Sequence, residues 1–241
     1  MRTSDSSIYA VGDVAVVKEL VTGDPALIPL AGPANKQGRI AADNIAGLSS
    51  TYGSTQGTSA AKVFELTAAS TGLNEKSLIK RGLVRGKDFE SILITQNSHA
   101  GYYPGASPMF IKLLFSPDGK KLFGAQIVGR DGVDKRIDTI SAVMRLGGGV
   151  RELKELELAY ALPYSSAKDP VNMVGFIAEN VINDLVRFSA SGAITPPGYL
   201  CRTALETWRS IRPESVSTAR PIPKKKNRTK LPITSNRKIY Q

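Results

Sequence analysis

A single cysteine, Cys201, and a single histidine, His99, occur in 241 residues. One cysteine excludes a disulfide framework within the chain, and one histidine beside it leaves no multi-residue zinc constellation. No metal site is therefore expected, and a reducing, cytoplasmic setting fits. Long apolar runs are also missing: nowhere do about eighteen apolar residues follow one another, so no membrane-spanning helix is expected. The start, MRTSDSSIYA, lacks a basic segment followed by an apolar core, which argues against an export signal. The phosphate-cradling pattern G-x-G-x-x-G is absent as well. RLGGGVREL follows a helical pattern rather than a strand, and it reads as a helix stop.

What is present is unevenly distributed. The net charge is +11, yet residues 1–186 hold 20 basic against 19 acidic side chains, while residues 187–241 hold 12 against 2. The body is electrostatically ordinary and the basicity is confined to the end. There SASGAITPPGYLCRTALETW and RPIPKKKNRTK mix Pro, Ser, Thr, Lys and Arg without a sustained period, so a disordered basic tail is expected over residues 187–241. One reading of the whole chain follows from that tail alone, a small nucleic-acid-binding protein whose Lys/Arg run neutralises phosphates. The run lacks interleaved aromatics for base stacking, which makes nucleic acid the weaker alternative.

The body divides into three parts. In residues 1–47, the apolar run Ser7 to Val11 ends in Gly12-Asp13 and suits a buried strand at the carboxyl edge of an α/β sheet. After a Gly/Pro-rich loop, Pro33 can open a helix at its first position, with Ala34, Ala41 and Ile45 on one face and Gly47 ending it. Residues 48–59 are rich in Ser, Thr and Gly and read as a linker. Residues 60–186 carry strand patterns in KVFEL and SILITQN around a helical NEKSLIKRG, and a hairpin of MFIKLLF and KLFGAQIVG turned at Pro117-Asp118-Gly119. Two helices follow. Ile137, Ile140 and Met144 line the first, which Gly147 to Gly149 end. Asp169 caps the second, Pro170 opens it, and Val174, Ile177, Ala178, Val181, Ile182 and Leu185 make its stripe. An α+β domain, a mixed or antiparallel sheet with helices on it, buries those stripes most simply.

Gly12-Asp13 is a candidate ligand pair, because a carboxylate at a strand end can accept bonds from a sugar or ribitol hydroxyl while glycine allows close approach. The helix start after LAGP would point free N–H groups at a neighbouring anion. Lys135 and Arg136, near the start of the next long helix, could pair with phosphates or simply be solvated.

IYAVGD, LAGPANKQGRIAADNIAG, GVDKRIDTISAV and LELAYALPYSSAKDPVNM together closely resemble the C-terminal part of the pyridine nucleotide-disulfide oxidoreductases, in the coenzyme A-disulfide reductase and NADH oxidase-like branch. The resemblance covers residues 1 to 186. It implies that residues 1–47 are the C-terminal part of an FAD-binding domain and residues 60–186 a dimerisation domain forming a homodimer. It further implies that Gly12, Asp13, Pro29, Leu30, Ala31 and Ala34 line FAD, and that Tyr164 with Tyr102 or Tyr103 serves a partner subunit's site near a redox cysteine and a coenzyme A-type disulfide or persulfide. Lys135 and Arg136 would then face substrate phosphates. The family also uses NAD(P)H. The Gly-rich units that hold both cofactors, and a cysteine beside the flavin, are not in this sequence, so the expectation is a C-terminal portion from a truncated or misannotated gene that is not catalytically complete alone. Within the tail, GYLCRTALETW faintly resembles the start of a rhodanese-like domain without its Asp-Val pair or its later cysteine loop.

Overall fold

A computed structural model describes residues 1–188 and 194–195. Its organising element is a five-stranded antiparallel sheet in the order β3-β4-β7-β6-β5. These strands are β3 (Ser59–Val63), β4 (Leu66–Gly72), β5 (Glu90–Asn97), β6 (Pro108–Phe115) and β7 (Leu122–Gly129). A small ribbon of β1 (Val17–Lys18) and β2 (Pro25–Ala26) precedes it, followed by α1 (Ala31–Ile45). Helix α2 (Glu75–Lys80) interrupts the strands, and α3 (Val133–Arg145), α4 (Val150–Glu155) and α5 (Pro170–Ile182) follow them. The expected α/β portion followed by an α+β unit is what the chain forms.

Alternation along the central strands decides which face is the core. Ile92 and Ile94 of β5, Met109, Ile111 and Leu113 of β6, and Ala125 and Ile127 of β7 point to one side and are buried. Side chains two apart share a sheet face, so this is the side that helices must cover. Helix α3 meets it with Ile137, Ile140 and Met144, and α5 with Val171, Val174 and Ala178. Each such side chain stabilises the fold by about 1.5–3 kcal/mol, enough to make this layer the stable part of the chain. Among the described residues, the opposite face is covered at one end, where Leu78 of α2 packs with Phe89 and Leu114.

Local signals account for the well-placed elements. Asn74 caps α2 by accepting from the Ser77 N–H at 2.9 Å, and Asp169 caps α5 by accepting from the Val171 N–H at 2.9 Å. The β6–β7 hairpin turns through Ser116 to Lys121, with Gly119 at φ +71°. Gly47, at φ +85°, lies just past the end of α1.

Several expectations are corrected. Ser7–Val11 is no buried strand: Ile8 and Val11 are exposed, and the only pairing is a bridge from Tyr9 to Arg2. An apolar run becomes a buried strand only with neighbouring strands to hydrogen-bond, and none of the described residues supplies them. Helix α1 begins two residues before Pro33, because any residue of a first helical turn can dispense with its N–H. Its buried positions are Gln37 and Ala41, and Ile45 is exposed. KVFEL is not a strand but the tip of the β3–β4 hairpin, reversing at Phe64 and Glu65. Residues 48–59 are more than a spacer: Thr55 is buried and bridges to Glu19, and Gln56 donates to the Ser141 carbonyl of α3 at 3.0 Å. The Gly147–Gly149 stop also starts α4, whose Glu152 accepts from the Gly149 N–H at 2.7 Å. Leu185 lies beyond α5 and is exposed. Of the tail, only Arg187–Phe188 and Ile194–Thr195 are described, as a two-residue antiparallel pairing. Cys201 and the Lys/Arg run lie outside the described residues.

Candidate functional site

Two places collect the candidate residues. At the first, Gly12–Val14 forms a single turn of 3-10 helix against α1. The Gly12 N–H donates to Gln37 Oε1 at 2.7 Å, and a side chain at Gly12 would sit 3.7 Å from the Ala34 Cβ. Gly12 has φ +78°, the left-handed region where glycine is favoured. Gly12 and Ala34 are thus brought together, with the Asp13 carboxylate exposed beside them. Pro29, Leu30 and Ala31 lead into the same helix start, with Pro29 and Ala31 exposed.

The second place lies at the end of the sheet where β5 leaves and β6 returns. Residues 98–107 connect these strands, and their neck is closed by the Ser98 N–H to the Ser107 carbonyl at 2.9 Å. His99 is buried and braces this loop, with Nε2 3.2 Å from the Pro104 carbonyl and Nδ1 3.1 Å from Ser98 Oγ. The Tyr103 ring stands edge-on to the His99 ring at 5.8 Å. A second loop, residues 156–168, runs from α4 to α5. The two meet where the Ala100 N–H donates to the Ser165 carbonyl at 3.1 Å.

Both loops close over Arg136, in the second turn of α3, which is only 1% exposed. Its Nη2 donates to the Ser98 carbonyl at 2.9 Å, the Tyr164 carbonyl at 3.2 Å, Ser165 Oγ at 3.2 Å and Asp169 Oδ2 at 3.0 Å. Its Nη1 reaches back to the Gly132 carbonyl. Arg136 is therefore not the surface phosphate ligand expected of it. Its charge is neutralised by Asp169, and its planar fork joins two loops and the cap of α5. Lys135 remains partly exposed, its Nζ 4.0 Å from Asp169 and 3.5 Å from the Ala159 carbonyl.

What this frame presents outward is aromatic. Tyr102 is 78% and Tyr164 71% exposed, with Tyr103 and Tyr160 partly so. The Tyr102 and Tyr160 hydroxyls lie 3.5 Å apart, one from each loop. Tyr102's hydrogen bond, reinforced by partial desolvation and by Tyr102's own charge, pushes the Tyr160 phenol up from its ordinary value. Four phenols on two clasped loops can donate hydrogen bonds to an anion, or a proton to one that forms, but they supply no nucleophile or redox group. The structure brings Tyr102, Tyr103 and Tyr164, the tyrosines expected from the sequence, onto these two loops. Sequence reasoning missed Tyr160, although ELAYALPY places it four residues before Tyr164, and it missed the roles of His99 and Ser98, which depend on contacts between loops. Among the described residues no group of three His, Cys, Asp or Glu could hold a metal ion, and no helix is long and apolar enough to cross a membrane.

Residues 58–169 match the family described as pyridine nucleotide-disulphide oxidoreductase, dimerisation domain. Among curated proteins, the coenzyme A disulfide reductase of Staphylococcus epidermidis is 37% identical over 179 residues, which are 74% of this chain and 40% of that enzyme. Among solved structures, reduced Bacillus anthracis CoADR-RHD shares 52% identity with a TM-score of 0.73, over 77% of this chain and 33% of that one. A NAD-dependent persulfide reductase from A. fulgidus shares 40% identity with a TM-score of 0.73, over 78% and 34%. The chain thus spans about 40% of the length of the curated relatives it matches.

Proposed function

From the premise that this chain carries the dimerisation domain of the pyridine nucleotide-disulphide oxidoreductases, we propose that it acts as the C-terminal portion of an FAD- and NAD(P)H-dependent disulfide oxidoreductase. Its substrate class is a coenzyme A-type disulfide or persulfide, its setting the cytoplasm, and its assembly a homodimer through residues 60–186. Residues 1–47 contribute one edge of the flavin site. The observation that carries the reading is the pair of loops, 98–107 and 156–168, held on Arg136 and presenting Tyr102, Tyr160 and Tyr164 outward.

In the proposed reaction NAD(P)H and a proton reduce a disulfide to two thiols. FAD, when bound, supplies the electron relay between nicotinamide and sulfur. The chain's own residues do the rest of what is proposed here. Asp13 would accept from a ribitol hydroxyl of the bound cofactor, Gly12 would permit its close approach, and Pro29, Leu30, Ala31 and Ala34 would line it. A sulfur leaving as thiolate needs a hydrogen-bond donor, and in this reading the exposed phenols of Tyr164 and the Tyr102–Tyr160 pair serve as that donor for a partner subunit's site. Lys135, with its ammonium near the same loops, offers a charge to a substrate phosphate.

The test is complementation. The full chain is coexpressed with the N-terminal portion of a coenzyme A disulfide reductase carrying its cofactor sites and cysteine, and NAD(P)H-dependent disulfide reduction is followed. No turnover is expected from this chain alone, and turnover is expected from the assembly. Tyr164→Phe should then lower kcat by roughly 10- to 100-fold with cofactor binding intact. Turnover by the isolated chain, or an assembly indifferent to Tyr164, Tyr102 and Tyr160, would sink the reading.

A further inference from the structure

Arg136 holds more of the candidate site together than any residue that faces solvent there. It contacts loop 98–107 through the Ser98 carbonyl, loop 156–168 through the Tyr164 carbonyl and Ser165 Oγ, its own helix through the Gly132 carbonyl, and the cap of α5 through Asp169. Asp169 completes the arrangement, accepting also from Ser165 Oγ and from the Val171 N–H at 2.9 Å. A buried ion pair gives little net stability compared with apolar packing, so stability alone is a weak reason for an arginine here. Its distinctive property is geometric: a planar, always-charged group with five donors can fix several acceptors at once, which lysine cannot.

We propose that Arg136 is a positioning residue that sets the register between the two tyrosine loops, and that it acts on the reaction only through where it places Tyr102, Tyr160 and Tyr164. This deepens the reading above and, for its catalytic consequence, rests on it. The Ser98 carbonyl lies four residues before Tyr102, and the Tyr164 carbonyl four residues after Tyr160. One guanidinium nitrogen therefore ties both stems from which the paired hydroxyls extend. The Ala100 N–H to Ser165 carbonyl bond is the only direct backbone link between the loops among the described residues. A single bond is a hinge, and the guanidinium contacts convert it into a fixed joint.

The experiment uses the full chain, without cofactor or partner, and reads the loops themselves. Arg136→Lys keeps a cation opposite Asp169 but cannot span the carbonyls of both loops. Amide exchange in residues 98–107 and 156–168 is expected to quicken by about tenfold or more, while the amides of β6 and β7 keep their protection. In tyrosinate formation followed by ultraviolet absorbance, Tyr160 is expected to titrate lower than in the parent, since the Tyr102–Tyr160 contact is broken. A variant that folds, with loop exchange and tyrosine titration both unchanged, would overturn the proposal. If Arg136→Lys does not fold, Ser165→Ala carries the test, because it removes the hydroxyl that accepts from Arg136 and donates to Asp169 and leaves the ion pair between them. It should give the same two changes at smaller size, and their absence would equally overturn the proposal. The functional reading is judged separately, in the complemented assembly: loosened loops with Tyr→Phe variants that leave turnover unchanged would keep the clasp and discard the catalytic role of the phenols.

Discussion

Gly132 shows how much of the site depends on one backbone angle. It caps α3 at φ +67°, and a side chain there would come within 2.1 Å of Arg136 Nη1. Gly132→Ala therefore has two costs, a left-handed backbone for an L-residue and displacement of a buried guanidinium. A loss of roughly 2–3 kcal/mol is expected, read as a lowered denaturation midpoint at unchanged slope. A second residue-scale expectation concerns the phenols. Tyr160 titrates above its ordinary value chiefly because of Tyr102's hydrogen bond. That bond favours the protonated phenol, so its effect is complete below the unfolded value and fades as pH rises through the folded one. Tyr102→Phe should bring Tyr160 back toward the ordinary tyrosine range in a spectrophotometric titration; loss of the Tyr102 signal with Tyr160 titrating as in the parent would mean the two hydroxyls do not meet in solution. None of this was legible in the sequence. DKRID suggested two helix-start cations of similar fate, whereas the fold exposes Lys135 and buries Arg136, and only contacts from residues about 30 positions away decide between them.

The elements that could be read ahead of the structure are those whose instructions are local. Asn74 before α2, Asp169-Pro170 before α5 and Pro117-Asp118-Gly119 between β6 and β7 each satisfy or redirect the backbone within a few residues. Those misread lacked such a cue or depended on a distant partner. The β3–β4 reversal places Phe64 at φ +51° without a glycine, so KVFEL kept a strand's appearance. Helix α4 hid behind three glycines that end one helix and start the next. Its cap makes a testable device: the Gly149 N–H bond to Glu152 holds that carboxyl below the ordinary glutamate range. A depressed carboxyl contributes stability above its unfolded value and loses it as pH falls through the folded one. Solvent screening keeps the contribution small, so Glu152→Ala should cost about 0.5–1 kcal/mol at neutral pH, and the difference from the parent should vanish in acid. In α5 the stripe is graded, with Val174 fully buried and Ile182 at its margin. Val174→Ala should accordingly cost about 2 kcal/mol in chemical denaturation, and Ile182→Ala distinctly less.

At the scale of the whole molecule, the described residues dress one side of the sheet fully and the other only at the end where α2 packs. Register places Ala68, Val128, Phe110 and Thr95 side by side across β4, β7, β6 and β5 on the face away from α3 and α5. Phe110 is half exposed and Val128 and Leu93 partly so, while the β3–β4 tip adds Phe64 at 94% exposure. Exposed apolar side chains grouped on one sheet face mark an interaction site more often than a free surface. The row ends at Thr95, two residues before Asn97, where loop 98–107 begins. A second copy of this chain, as in the proposed homodimer, is one occupant that would cover this face. In an isologous interface each substitution acts twice, so Phe110→Asp should weaken the proposed homodimer by on the order of 100-fold or more. Because Phe110 points away from the core shared by β6, α3 and α5, the monomer's cooperative melt should persist. Sedimentation over a concentration series separates the outcomes: a folded monomer assigns this face to the dimer, whereas a dimer as tight as the parent's moves the interface elsewhere.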